Sequence, residues 1–259
     1  MKHTVNAEAG LVAPPHSKGP IAYFFLTTFL FTGSVSLLIV PLYLVGQLWR
    51  PAFVAGRWIL YMGAKVLMAV QPWHFERYRF TPLKSERPVL YVCNHQSHLD
   101  VFYFIRSLAT LRVISKWELL YVPFLGPFMW LTQQILAKKG IDNYARAIET
   151  AKKGVLRGDE VLIFPETTRC PEGFVGVQKF QIAPFAMARE IEALIVPVCV
   201  HGTGKAWPKG KLGIQMGHRI TLSSLEPLDS KEFNSAKALS EIVRSRIETE
   251  LLELENDRS

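Results

Sequence analysis

From Ile21 to Trp49 the chain runs for 29 residues without a charged side chain. A bilayer core is crossed by roughly 20 apolar residues, so this stretch is long enough for the task. A secretory signal has an apolar region of roughly 7 to 15 residues, and no small-residue cleavage site follows here, so a cleaved leader is disfavoured. A second apolar run, Trp58 to Trp73, is interrupted by Lys65 and closed by Pro72, and it suits the interface better than a span. Trp49, Trp58, Tyr61 and Trp73 are side chains that favour headgroup depth. Pro41 and Gly46 leave two membrane geometries open, a span and a re-entrant hairpin, and a pair of buried core helices is the non-membrane alternative. Lys2, Lys18 and Glu8 flank the run on one side and Arg50, Arg57 and Lys65 on the other, a bias that places the C-terminal part on the cytoplasmic side.

Charge adds to this picture without deciding it. The 259 residues carry a net charge of +8, and residues 1–80 hold seven basic and two acidic side chains. Residues 81–225 hold 18 basic against 11 acidic, whereas 226–259 hold five against nine. Nucleic acid and anionic membrane both attract such a field, and the apolar segment selects the membrane, so no nucleic-acid partner is expected. With 49% hydrophobic and 20% charged residues the chain is not a disordered one. Cys93, Cys170 and Cys199 are too scattered for a disulfide framework or a paired-cysteine metal site, which points to a reducing compartment.

Beyond residue 80 short apolar runs alternate with longer amphipathic stretches, the pattern of an α/β domain. The expected organisation is a tail over 1–20, a membrane-embedded or interfacial helical segment over 21–80, and one domain over 81–259 with a mixed central sheet flanked by helices. Strands are expected at Val89 to Cys93, Arg112 to Ser115, Gln134 to Ala137, Glu160 to Phe164, Ile195 to Val200, Ile214 to Met216 and Arg219 to Leu222. A helix is expected over Val101 to Leu108. Another runs from Asp142 to Leu156, with Asp142 as its cap, Ala145, Ala147, Ile148, Ala151 and Val155 inward and Gly158 as its stop. The helix Ser235 to Leu254 turns Ile242, Ile247, Leu251 and Leu254 to the core.

Three polar loops follow these strands, and ligands of open α/β sheets bind at such strand ends. The first is Asn94-His95-Gln96-Ser97-His98-Leu99-Asp100. On one continuous helix His95 and Asp100 would be about 500° apart. They meet if His95 lies on the loop and Asp100 in the first helical turn, where the carboxylate fixes the imidazole tautomer and leaves the other nitrogen as a base. By itself this spacing is equally a capping loop with a surface histidine. The second is Phe164-Pro165-Glu166-Thr167-Thr168-Arg169, in which Arg169 offers a planar fork for phosphate and Glu166 orients it or the loop; a surface salt bridge is the plain alternative. The third is Lys116-Trp117-Glu118-Leu119, followed by Val122-Pro123-Phe124-Leu125-Gly126, with Lys138 and Lys139 after the next strand. Lys116 alone is equally a solvated lysine. A zinc site from His95, His98 and Cys93 lacks a second ligand pair, so no metal is expected. No GxSxG elbow is present, and Gly202-Thr203-Gly204-Lys205 lacks the P-loop spacing.

In this order the loops resemble the lysophosphatidic acid acyltransferase family, the 1-acylglycerol-3-phosphate O-acyltransferases, over about residues 88 to 200. NHQSHLD is similar to its NHxxxxD block, KWELLYVPFLG to KxEL…PxxG, FPETTR to FPEGTR, and Val196-Pro197-Val198 to its last block. The resemblance implies His95 as general base with Asp100 as its partner and Arg169 as a phosphate ligand; Lys116 and one of Lys138 or Lys139 are expected beside that phosphate, and Glu166 and Thr168 complete the expected substrate-binding residues. It also implies a lysophospholipid acceptor and a thioester donor, acyl-CoA or acyl-carrier protein, with no cofactor. Three departures stand out. Thr167 replaces the glycine of FPEGTR, which calls for a different loop conformation. The GxIFIDR block falls on Gln133 to Lys139, so a lysine replaces its arginine. The FKxG block falls on Phe180-Gln181-Ile182-Ala183. Two other readings follow from these changes: an acyltransferase for a different lysolipid, and a non-catalytic membrane-anchored lipid-binding protein of the same fold.

Overall fold

The computed structural model describes residues 18–46, 48–69, 74–105, 108, 111–121, 126, 129–130, 132–211, 215 and 217–257. Most of the tail 1–20, Trp73, Val122 to Leu125 and the expected strand Ile214 to Met216 lie largely outside them.

The described residues begin with two helices, α1 (Lys18–Gly46) and α2 (Arg50–Ala69). At 1.5 Å per residue the 29 residues of α1 extend about 43 Å, and the helix continues through Pro41. The two pack antiparallel. Val35, Ile39 and Tyr43 form a small core with Val40 and Ile59, and Gly56 lets the Tyr43 ring approach to where a Cβ would lie 3.0 Å from it. Outside that seam Leu37, Leu38, Leu44, Leu48, Trp49 and Trp58 are exposed. Several apolar side chains of the run, among them Phe24, Phe25 and Phe31, lie outside the described residues; among those described, no helix is long and apolar enough to cross a membrane.

Among the described residues the sheet has eight strands: β1 (His74–Arg79), β2 (Val89–Cys93), β3 (Arg112–Lys116), β4 (Ile135–Ala137), β5 (Val161–Ile163), β6 (Leu194–His201), β7 (His218–Ser224) and β8 (Leu228–Asp229). Their order is β1-β7-β6-β2-β5-β3-β4, with β8 alongside β6. Only the pairings of β6 with β7 and β8 are antiparallel, so the mixed sheet expected from the sequence is found. Strand β1 lies within the stretch 21–80 assigned to the N-terminal segment, yet it pairs with β7 from His74 opposite His218, so the sheet begins before residue 81. Its charged sequence, His-Phe-Glu-Arg-Tyr-Arg, hides it from a search for apolar runs. Pro197 sits in β6 between Leu194 and Ile195, which pair with β8, and Val198 to His201, which pair with β7. There its missing N–H interrupts neither ladder.

Alternation along the central strands feeds two cores. Leu90 and Val92 of β2 face α4 (Ile141–Leu156), α5 (Ala183–Glu190) and α7 (Ala236–Asn256). Tyr91 and Cys93 face Tyr103 and Phe104 of α3 (Asp100–Ile105) together with Trp207. Burial on both faces is why these strands read as unbroken apolar runs. The capping residue of α4 is Gly140, and Asp142 lies in its first turn without a side-chain cap bond, where it still complements the helix dipole. Ala145 is exposed. On α7 Ser235 caps as expected, accepting from the Ala238 N–H, but Ile242 is 43% exposed and Leu239 and Val243 take the inward positions. A shift of one residue rotates a helical side chain by about 100°, enough to exchange the two stripes.

Candidate active site

The parallel strands β5, β2 and β6 lie side by side, so the loops leaving their C-terminal ends converge. His95 leaves β2, and Asp100 begins α3, the arrangement that brings them together. His95 Nδ1 is 2.8 Å from Asp100 Oδ2. The carboxylate is fully buried and the imidazole is 18% exposed. The same Oδ2 accepts the N–H groups of Gln96 at 2.8 Å and Ser97 at 3.0 Å. With Nδ1 turned to the carboxylate it carries the proton, and Nε2 is left as a lone-pair base. The imidazole stacks on Phe164 at 4.2 Å, which limits its rotation.

Glu166 ties the first loop to the second. Its Oε1 accepts the His95 N–H at 2.8 Å, and its Oε2 accepts from Gln178 Nε2 at 2.7 Å. Burial pushes its carboxyl above the usual range, opposed by those hydrogen bonds. It is 5% exposed and among the described residues bonds neither Arg169 nor another cation, so it is not a surface salt bridge and it orients the loop rather than Arg169. The Cys170 N–H returns to the His95 carbonyl at 2.8 Å, closing the two loops on each other. Thr167 takes φ +58°, the left-handed conformation that glycine favours, so the loop turn is kept and the threonine bears the strain. Gln133, at the other position where the resembled family has glycine, does the same at φ +54°.

The expected cations divide into two groups. Arg169 and Lys116 both act on His98, whose imidazole is pushed down to about 4 by partial desolvation and then by Arg169, His95 and Lys116, with Asp100 opposing. Desolvation lowers the Arg169 guanidinium, and Asp100 partly restores it. Lys138 sits over the Trp117 ring at 4.3 Å, so the indole holds that ammonium. Lys139 is exposed, and its carbonyl accepts from Asn143 Nδ2. Thr168 accepts from Lys209 Nζ at 2.9 Å through its hydroxyl.

Several contributors are not among the expected site residues. Lys209 Nζ also reaches the Arg169 carbonyl at 3.0 Å. Asn94, beside the histidine, locks β2 to β6 through the carbonyl and N–H of Val200, both at 2.8 Å. Thr203, inside the turn set aside for lacking a P-loop spacing, reaches Asp100 from the end of β6, 103 residues away in sequence. Among the described residues no cluster of three or more His, Cys, Asp or Glu is arranged for a metal ion.

The family model described as Acyltransferase matches residues 75–201, from the first strand of the sheet to the end of β6. The chain is 30% identical over 168 residues to the chloroplastic 1-acyl-sn-glycerol-3-phosphate acyltransferase of Arabidopsis thaliana, covering 63% of this chain and 45% of that protein. It is 34% identical over 138 residues to a Pseudomonas aeruginosa protein of the same description, covering 51% and 52%. The chain thus spans about half the length of these curated relatives. Its fold is similar to the crystal structure of the 1-acyl-sn-glycerophosphate acyltransferase PlsC from Thermotoga maritima, with a TM-score of 0.79, 22% identity, and coverage of 91% of this chain and 95% of that one. Over residues 75–201 the chain is thus similar to the acyltransferase family and to 1-acyl-sn-glycerol-3-phosphate acyltransferases, and it shares the fold of the Thermotoga maritima structure, with His95 and Asp100 paired where three of its strands converge.

Proposed function

We propose that the chain is a membrane-associated O-acyltransferase that moves a fatty acyl group from a thioester, acyl-CoA or acyl-carrier protein, to the free hydroxyl of 1-acylglycerol-3-phosphate. The observation that carries this reading is the 2.8 Å contact of His95 Nδ1 with a buried Asp100, which leaves Nε2 as the base. In the reaction Nε2 takes the acceptor's hydroxyl proton while that oxygen attacks the thioester carbonyl. The tetrahedral intermediate collapses with loss of the thiolate, which takes the proton back from the imidazolium. Asp100 stabilises the imidazolium between the two transfers, and base catalysis of this kind contributes roughly 10²- to 10⁴-fold. The cycle returns the histidine to its starting state, so no cofactor is consumed.

The acceptor's phosphate is assigned to Arg169 and Lys116, whose charges from two loops both depress the His98 imidazole. Arg169 supplies the fork and Lys116 a point charge. Lys138 and Lys139 are assigned to the outer part of the headgroup site. Membrane association rests on α1 and α2, whose exposed Leu37, Leu38, Leu48 and Trp49 form a large apolar surface beside the domain. Their antiparallel packing favours a hairpin inserted from one side over a single span, with the domain on the cytoplasmic face. The test is a panel of lysolipids, with and without phosphate, offered to the purified full chain with labelled acyl-CoA or acyl-carrier protein. Transfer to 1-acylglycerol-3-phosphate above the other acceptors is the expected result, and transfer to none would leave the non-catalytic lipid-binding reading in its place.

A further inference from the structure

We infer that Thr203 is a third member of the His95–Asp100 relay, a positioning residue that fixes the Asp100 carboxylate so that Oδ2 stays directed at the imidazole. This inference rests on the acyltransferase reading above. The two carboxylate oxygens are unequally held. Oδ2 receives three donors, His95 Nδ1 and the N–H groups of Gln96 and Ser97. Oδ1 receives, among the described residues, only the Thr203 hydroxyl, at 2.5 Å. A hydroxyl has one proton to give, and Gln96 Oε1 at 3.5 Å is too distant to compete for it. Without that donor Oδ1 is a fully buried, unsatisfied anionic oxygen, and the carboxylate gains by pivoting about Oδ2 to find another.

The surrounding turn is built to deliver this hydroxyl. Gly202 has φ +89°, and a Cβ there would lie 2.1 Å from the Arg219 carbonyl oxygen, so the turn lies flush against β7. Thr203 then opens the short helix α6 (Thr203–Ala206) with no exposed surface. From the other side Ser97 Oγ donates to the Trp207 carbonyl at 2.9 Å, clamping the catalytic loop to the end of that helix. The fully buried Thr203 hydroxyl thus meets the loop at its carboxylate, where valine would fill the same space and supply no proton.

The experiment compares Thr203→Val, which removes the hydroxyl at constant shape, with Thr203→Ser, which keeps it. Loss of a hydrogen bond to a charged group corresponds to about a 10- to 150-fold fall in kcat for Thr203→Val, with KM for both substrates unchanged. Nitrogen NMR of the His95 ring in the full chain supplies a readout that needs no turnover. The wild type is expected in the Nδ1–H form, Thr203→Val in a mixture of tautomers, and Thr203→Ser restored in both rate and tautomer. An unchanged kcat and tautomer in Thr203→Val, or a Thr203→Ser protein as impaired as Thr203→Val, overturns the inference. If Thr203→Val does not fold, Thr203→Ala is read against Thr203→Ser in the same two measurements. A wild type that transfers no acyl group would sink the acyltransferase reading, while the tautomer comparison would still decide the role of Thr203.

Discussion

The loops at the strand ends and the two N-terminal helices solve opposite problems. In the loops the two buried carboxylates near His95 are partnered: Asp100 accepts four donors, and Glu166 accepts from the backbone of one loop and the side chain of Gln178. In the helices the backbone is satisfied internally, and large apolar side chains stand outward, with Leu48 94% exposed. The first region confines a charge within protein, and the second leaves apolar surface that only another apolar phase can cover. They meet where α2 lies against α3, the helix that Asp100 begins. A lipid acceptor held by the bilayer would therefore be presented next to the base. If the division of labour is real, each region can be disabled without the other.

The largest effect is expected from His95→Ala. Turnover should fall by the roughly 10²- to 10⁴-fold that a general base contributes, with membrane binding and thermal stability retained. Retention of about a tenth of the wild-type rate under saturating substrates would break the assignment.

Arg169→Gln should separate phosphate recognition from loop architecture. A charge-assisted bond to a buried anion is worth roughly 1.5 to 3 kcal/mol, so kcat/KM for a phosphate-bearing lysolipid should fall about 10- to 150-fold. An acceptor without phosphate should lose far less. Equal losses on both, at unchanged thermal stability, would make Arg169 a support for its loop.

The converse perturbation is Leu48→Asp. Each leucine withdrawn from an apolar phase costs about 2 kcal/mol, so partitioning to vesicles should weaken roughly 30-fold while kcat in detergent micelles stays at the wild-type value. In carbonate buffer the wild-type chain should remain with the membrane, because an apolar anchor does not depend on counterions. Its recovery in the supernatant would remove the anchor reading altogether.

Backbone strain in the catalytic half sets a smaller scale. Thr167→Gly should stabilise the protein by about 1 kcal/mol, the order of a left-handed side-chain penalty, and Gln133→Gly should do the same. Thermal unfolding of the two variants measures this. No change would mean that the glycine's greater unfolded-state freedom cancels the relief.

Acid should affect the C-terminal end of the sheet domain and spare the helical pair. Hydrogen bonds from Lys205 and His201 hold the Glu255 carboxyl at about 2, below its ordinary 4.5. A depressed carboxyl contributes stability that is complete above the ordinary value and is lost as pH falls toward about 2. Hydrogen exchange over residues 251–256 should therefore quicken in that window before the exchange of α1 changes.

Local sequence was sufficient for much of this molecule. An unbroken apolar run specifies a buried parallel strand, and β2, β5 and β6 were legible for that reason. Six residues from His95 to Asp100 contain their own geometry, because a loop exit followed by a helix start admits few arrangements. The glycine that stops α4 and the serine that caps α7 are likewise decisions made within a few residues. Only the tertiary structure decided what depends on contacts distant in sequence. Strand β1 is charged and owes its place to β7, 144 residues on. Glu166 binds a backbone N–H rather than the nearby arginine, since that N–H is delivered to it by the neighbouring strand. Thr167 and Gln133 adopt glycine's conformation because the hydrogen bonds and packing around each turn outweigh a local penalty of about 1 to 2 kcal/mol. The partner of Oδ1 lies beyond any spacing rule, because a buried carboxylate is satisfied by whichever hydroxyl the fold brings near, and here β6 brings Thr203.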